Sequence, residues 1–342
     1  MKKIFCLCVS AALFAAAVVS CEEPEEPVLV SSVRLSQTEI TLEIYDFTTL
    51  VATVLPDNAD NKNISWSSSD TNVVVVKDGK LTAMDTGTVA ITVTTVEGGK
   101  TATCSVTVTP LHVGETRMVF VEGGTFTMGA SAEEIQKEEA YSWEGPAHEV
   151  TLSSFKIAVT SVTQKQWKAI MSTNTSLKKG DDLPVENIKL ADILEFIRRL
   201  NEATGKKYRL PTEAEWEFAA RGGKESQGYK YSGSNDINAV AWYSGNANST
   251  THAVGTKLPN ELGIYDMSGN IREFCKDFYS AYTSAPQTNP QGPNAGFDYI
   301  IRGGSYGDGA MTCRVSFRDK FEPSAQNPAS GFISFRLAIS YP

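Results

Sequence analysis

The strictest constraint in this chain is a pair of alternating segments joined by two glycines. Ala102, Cys104, Val106 and Val108 interleave with Thr101, Thr103, Ser105 and Thr107, and Val89, Ile91 and Val93 interleave with Thr88, Ala90, Thr92 and Thr94. Successive strand side chains point to opposite faces, so each run places its apolar set on one buried face. Gly98-Gly99 between them, and Asp78-Gly79 between Val76 and Leu81, are the residue types that short hairpin turns demand. Several short strands at this spacing predict an all-β, immunoglobulin-like sandwich over residues 33–109. Trp66 is its expected core aromatic. Cys104 falls in the inward set and is expected to behave as a small hydrophobe.

Upstream, Lys2 and Lys3 precede an apolar run from Ile4 to Val19 that ends in Ser20-Cys21. At about 16 residues the run is short for a membrane span and has the order of a secretory signal over residues 1–20. Glu22-Glu23-Pro24-Glu25-Glu26-Pro27 follows, an acidic stretch that cannot bury a core, so residues 21–32 read as a tether. The formal charge is −9; loss of Lys2 and Lys3 with the signal makes it −9 − 2 = −11. With no basic cluster, a nucleic-acid partner is not expected. His112, His148 and His252 are far apart and form no helical pair, which argues against a histidine metal site.

Residues 117–340 read as a second domain of mixed structure. Val119 to Met128 is expected to run strand, Gly123-Gly124 turn, strand. Helices are expected at Thr163 to Met171, at Leu190 to Ala203 and at Thr212 to Ala220. Leu190, Ile193, Leu194, Ile197 and Leu200 recur at helical spacing, with Gly205 as a stop. Thr212 with Glu215 three residues on forms a capping-box pattern. Glu213, Glu215 and Glu217 are expected to cap that helix and line a solvated face. His148 is expected to be packed or hydrogen-bonded. Beyond residue 224, Gly, Asn, Ser and Pro are dense and long helices vanish. The Tyr-rich loops from Tyr229 to Tyr243 and Tyr279 to Tyr299 could bind a ligand or simply fill the fold.

Three resemblances follow from particular residues. Val18-Val19-Ser20-Cys21 resembles a bacterial lipobox, which implies lipidation of Cys21; the acidic stretch after it resembles the export tag of surface lipoproteins in Bacteroidetes-type bacteria. Leu55-Pro56, Trp66-Ser67-Ser68, Gly79-Lys80-Leu81-Thr82-Ala83 and Gly87 to Val93 resemble the bacterial Ig-like group 2 family, a spacer or adhesive module. Phe120 to Gly129, Arg209-Leu210-Pro211-Thr212-Glu213-Ala214-Glu215-Trp216-Glu217, Asn260 to Asn270, Arg302-Gly303-Gly304-Ser305-Tyr306 and Phe335-Arg336-Leu337 resemble, in order, the formylglycine-generating enzyme (sulfatase-modifying factor) family. That resemblance implies an α+β class: a compact fold related to C-type lectins, with little regular secondary structure.

The resemblance also frames the chemistry. Enzymes of this family oxidise a substrate Cys with O₂ through two Cys five positions apart that hold copper, and soft thiolates suit Cu(I). Here Asp308 occupies the first position. Cys313 falls on the second if no gap is allowed; a gapped match of Arg314-Val315-Ser316-Phe317-Arg318 makes it structural. Either way at most one thiol of the pair is present, so Cys313 is a weak catalytic candidate and copper is not expected. Of the three cysteines beyond Cys21, Cys275 and Cys313 are expected to form a disulfide closing a loop of about 38 residues, stabilising by roughly 4 kcal/mol. By the resemblance, Asp266, Gly269, Ile271 and Glu273 are candidate ligands for a structural Ca²⁺, through oxygen donors suited to a hard cation.

The expectation is therefore an outer-membrane lipoprotein, exposed at the cell surface, whose second domain binds a glycan or an envelope or extracellular protein without catalysis. The alternatives are an oxidase acting on protein Cys and a structural part of an envelope secretion or motility assembly.

Overall fold

A computed structural model describes residues 26–112, 114–323 and 331–341. The expected signal, Cys21 and the start of the tether lie outside the described residues. The alternating segments pair as expected. Strands Gly87–Thr95 and Thr101–Thr109 are antiparallel, with Val89 opposite Val106, Ile91 opposite Cys104 and Val93 opposite Ala102. Glu39–Glu43 adds to one side in parallel and Ile64–Ser68 to the other in antiparallel sense. The facing layer holds Phe47–Thr49, Lys80–Ala83 and Val74–Lys77, the last two joined by Asp78 and Gly79, both at positive φ. Between the layers lie Leu50, Val74, Leu81, Ile91, Cys104 and Val106. Cys104 is buried, and burial raises its thiol pKa. Trp66 is only half buried, at the seam between the two apolar clusters of the sandwich.

The second domain contains α1 (Ala132–Gln136), α2 (Gln164–Met171), α3 (Leu190–Thr204), α4 (Glu213–Ala220) and α5 (Ile237–Val240). The three predicted helices form where their signals place them. Thr163 and Thr212 cap α2 and α4 in reciprocal capping boxes, and Gly205 ends α3 in the left-handed conformation. The stretch from Val119 to Met128 does form two strands. They do not pair with each other: Met118–Val121 joins Phe155–Ala158, whereas Gly124–Met128 joins His148–Leu152. Gly123 turns the chain between sheets, and a side chain there would strike the Leu152 carbonyl.

A four-stranded sheet, Arg318–Phe321, Tyr299–Arg302, Arg272–Phe278 and Ile333–Phe335, forms the centre. Its Phe274, Ile301 and Phe335 pack with α3 residues Ile193, Phe196 and Leu200. Ile300 and Cys275 instead join the cluster containing Trp216 and Phe218 of α4. The last strand, Ala338–Ser340, returns to pair with Phe155–Ala158 near the start of the domain.

The two domains touch through charged and aromatic groups. Lys156 pairs with Asp46 at 2.6 Å, Lys206 bridges Glu43 and Glu115, Arg117 lies over the Tyr45 ring, and Phe47 meets Phe120 edge-on. The described N-terminal residues sit at the other end of the sandwich, where Val28 and Val30 donate to Asp60 and Glu97. Nine-residue strands separate those ends by about 30 Å.

Candidate functional site

The glycine pair Gly303-Gly304 sets the geometry of the site. Both adopt positive φ, and a Cβ on Gly304 would stand 2.8 Å from the Cys313 sulfur. The loop therefore folds tightly over Cys313, which ends the short 3₁₀ turn Ala310–Cys313. The sulfur is buried beside Tyr231 and Val240. Burial pushes its thiol up to about 12, with the Asp308 charge adding to the rise, so it stays protonated at neutral pH.

Asp308 is fixed differently. Arg272 clasps its carboxylate with two hydrogen bonds, Nε at 2.8 Å and Nη2 at 2.6 Å, and Ser305 Oγ donates a third at 2.7 Å. Burial opposes ionisation, but these donors prevail and hold the carboxyl below its usual range. Arg272 also reaches Asp319. A small pocket of about 240 Å³ opens here, bounded by Arg272, Asp308, Lys320, Phe321 and Phe332. Phe332 is exposed and stacks on Tyr306, ring centroids 5.0 Å apart. Cys313 does not line this pocket. One protonated thiol and one carboxylate already committed to a guanidinium do not fit a two-thiolate copper site.

The expected disulfide is not formed: Cys275 and Cys313 are both free and buried. Cys275 lies in the central strand among the apolar residues around α4, whereas Cys313 packs with Tyr231 and Val240. Their neighbours differ too, Asp277 and Glu213 near one and Asp308 near the other.

The Ca²⁺ set fares unevenly. Asp266 is buried with Oδ1 lacking a partner, Oδ2 accepts from the Gly255 amide, and burial raises the carboxyl to about 6. Glu273 is saturated: Arg336 donates to both its oxygens, and Trp216 Nε1 and Ser161 Oγ each donate to one. The Gly269 carbonyl accepts from the Ile271 amide. As arranged, the four residues do not fit a calcium site, because a guanidinium already neutralises the second carboxylate.

The solvated-face reading of α4 is overturned. Glu213, Glu215 and Glu217 are all buried. Glu213 binds Arg318 through two bonds of 2.7–2.8 Å, Glu215 binds Arg209, and Glu217 binds Arg221 and Arg302. Glu144 and Arg314 form a further buried pair. His148 is buried, against the Pro146 carbonyl and the Tyr282 ring. Sequence reasoning missed the arginine partners, although a signal was present: Arg336 sits between Phe335 and Leu337, and a charge inside a buried run needs a counter-charge.

A family model described as sulfatase-modifying factor enzyme 1-like domain matches residues 106–340, and one described as bacterial Ig-like domain (group 2) matches residues 29–106. The chain belongs to the sulfatase-modifying factor family, with an Ig-like domain ahead of the family domain. It is 33% identical over 265 residues to the chaperone protein LppX of Paenibacillus barcinonensis, covering 63% of this chain and 87% of that one. It is 28% identical over 199 residues to the formylglycine-generating enzyme of Streptomyces coelicolor, covering 52% of this chain and 59% of the enzyme. It spans only 37% of the length of the serine/threonine-protein kinase pkn1 of Chlamydia caviae, which it also matches. Among solved structures, Treponema denticola variable protein 1 superposes with a TM-score of 0.58 at 28% identity, over 71% of this chain and 97% of that one.

Proposed function

We propose that this chain is an outer-membrane lipoprotein, anchored through Cys21 and exposed at the cell surface, whose family domain binds a glycan or an envelope or extracellular protein and performs no oxidation. The observation that carries this reading is the Asp308–Arg272–Ser305 clasp. Where the resemblance places the first thiol of a metal-binding pair, an ion pair stands instead beside an exposed aromatic stack, which is the composition of a recognition surface. The sandwich supports a display role, because it separates the tether from the family domain by its full length. Fold alone does not assign catalysis.

Two measurements test the reading. The copper-loaded chain is incubated with a Cys-x-Pro-x-Arg peptide and the peptide is weighed by mass spectrometry; no aldehyde is expected. Aldehyde that disappears in Cys313→Ser would replace this reading with the oxidase. Pulldown of envelope proteins and glycans with the same chain is expected to retain a partner that Arg272→Ala releases. Stoichiometric incorporation into a secretion or motility assembly, indifferent to Arg272, would favour a structural role.

A further inference from the structure

A cleft lies away from this site, between the two domains. It encloses about 370 Å³, within the size range of small-ligand sites, which favour domain interfaces. Its walls are mainly apolar: Ile44 and the Tyr45 ring from the sandwich, Leu111 from the linker, and Met118, Ile339 and Tyr341 from the family domain. Tyr45 is a bulky residue held at φ 74°, a left-handed conformation that costs free energy unless its surroundings enforce it. Its ring is held under Arg117, and its amide donates to the Ala83 carbonyl.

Two features point to an occupant. First, the apolar walls cannot close on each other. The Lys156–Asp46 and Lys206–Glu43 pairs and the Phe47–Phe120 contact fix the domains on either side of the gap, so apolar surface stays facing water when burial would be favourable. Second, one ammonium of the cleft stands outside its carboxylate pairs. Lys156 is paired with Asp46, and Lys206 with Glu43 and Glu115. Lys207 also lines the cleft, is exposed, and has no ion-pair partner among the described residues.

We propose that this cleft is a second binding site, for a small ligand that joins an apolar ring or chain to one anionic group, with the apolar part on Ile44, Leu111 and Met118 and the charge on Lys207.

Anilinonaphthalene sulfonate, an aromatic anion, probes this chemistry directly, and phenylnaphthylamine is its uncharged counterpart. Both are titrated by fluorescence into the chain from Glu22 onward, which contains every described residue. Saturable one-to-one binding of the sulfonate is expected, about tenfold weaker in Lys207→Gln, while the uncharged probe binds that variant as it does the parent. Leu111→Trp, which fills the cleft from the linker, should abolish both signals without changing the thermal melt. If that variant fails to fold, Lys207→Cys alkylated with a cyclohexylmaleimide blocks the mouth from an exposed position and must give the same loss. Sulfonate binding that survives either block would overturn the site. Equal responses of the two probes to Lys207→Gln would overturn the anionic half of the proposal.

Discussion

The two domains of this chain solve the same problem by different means. In the sandwich, ladders of strand hydrogen bonds satisfy the backbone, and Thr95 is the one buried polar side chain among its described residues. In the family domain, strands are short and loops long, so many backbone groups lack a ladder partner. Buried arginines serve them. Arg336 donates to the carbonyls of Ala158 and Tyr265, Arg318 to Ser280, Arg314 to Met311 and Arg302 to Phe317, while each guanidinium is neutralised by Glu273, Glu213, Glu144 or Glu217. Those carboxylates serve the backbone as well: Glu217 accepts from the Gly129 amide and Glu144 from that of Tyr141. The lesson is that buried charge pairs here act as loop staples, the task the sequence had suggested for a disulfide. An ion pair alone is weak evidence for stability; one that also closes backbone hydrogen bonds does more.

The contrast can be broken most sharply at Glu217. Glu217→Ala leaves Arg302 buried without its main counter-charge and the Gly129 amide without an acceptor. The cost should be about 3–5 kcal/mol, confined to the family domain. Calorimetry should show that domain's transition falling while the sandwich transition holds; an equal fall in both would show the domains to be one cooperative unit.

A second probe uses pH. Burial, reinforced by the nearby Glu213 charge, raises Asp277 to about 7, well above its unfolded value. A raised carboxylate pKa favours folding at low pH, and that contribution is lost as pH climbs from about 4 to 7. Asp277→Asn keeps the acceptor for the Glu213 amide and should be more stable than the parent at pH 8, by at most about 4 kcal/mol, with the gap closing toward pH 4. Urea titrations at the two pH values measure it, and a gap independent of pH would refute the assignment.

The smallest effect belongs to the sandwich. Ile91→Val removes one methylene from a core that carries no charge network, and should cost about 0.5–1.5 kcal/mol at any pH between 5 and 8. A pH-dependent loss there would show that the two domains do not differ as argued.

Legibility followed the same divide. The hairpins at Asp78-Gly79 and Gly98-Gly99, the inward Cys104, the stop of α3 and the cap of α4 were readable, because turn chemistry and alternation are local properties. The ordered motifs also identified the family. What α4 does was not readable. Three alternate glutamates on a short helix look solvated until Arg302 and Arg318 arrive from strands elsewhere in the chain and Arg209 folds back from just ahead of the helix.

The sequence by itself therefore determined the strands, the helix ends and the family, each written within a few residues of itself. Tertiary structure alone decided which charges are buried together, that Cys275 and Cys313 lie in separate apolar clusters, and that the domains enclose a cleft. Those outcomes depend largely on where residues tens to more than a hundred positions apart meet, and no local pattern encodes a meeting place.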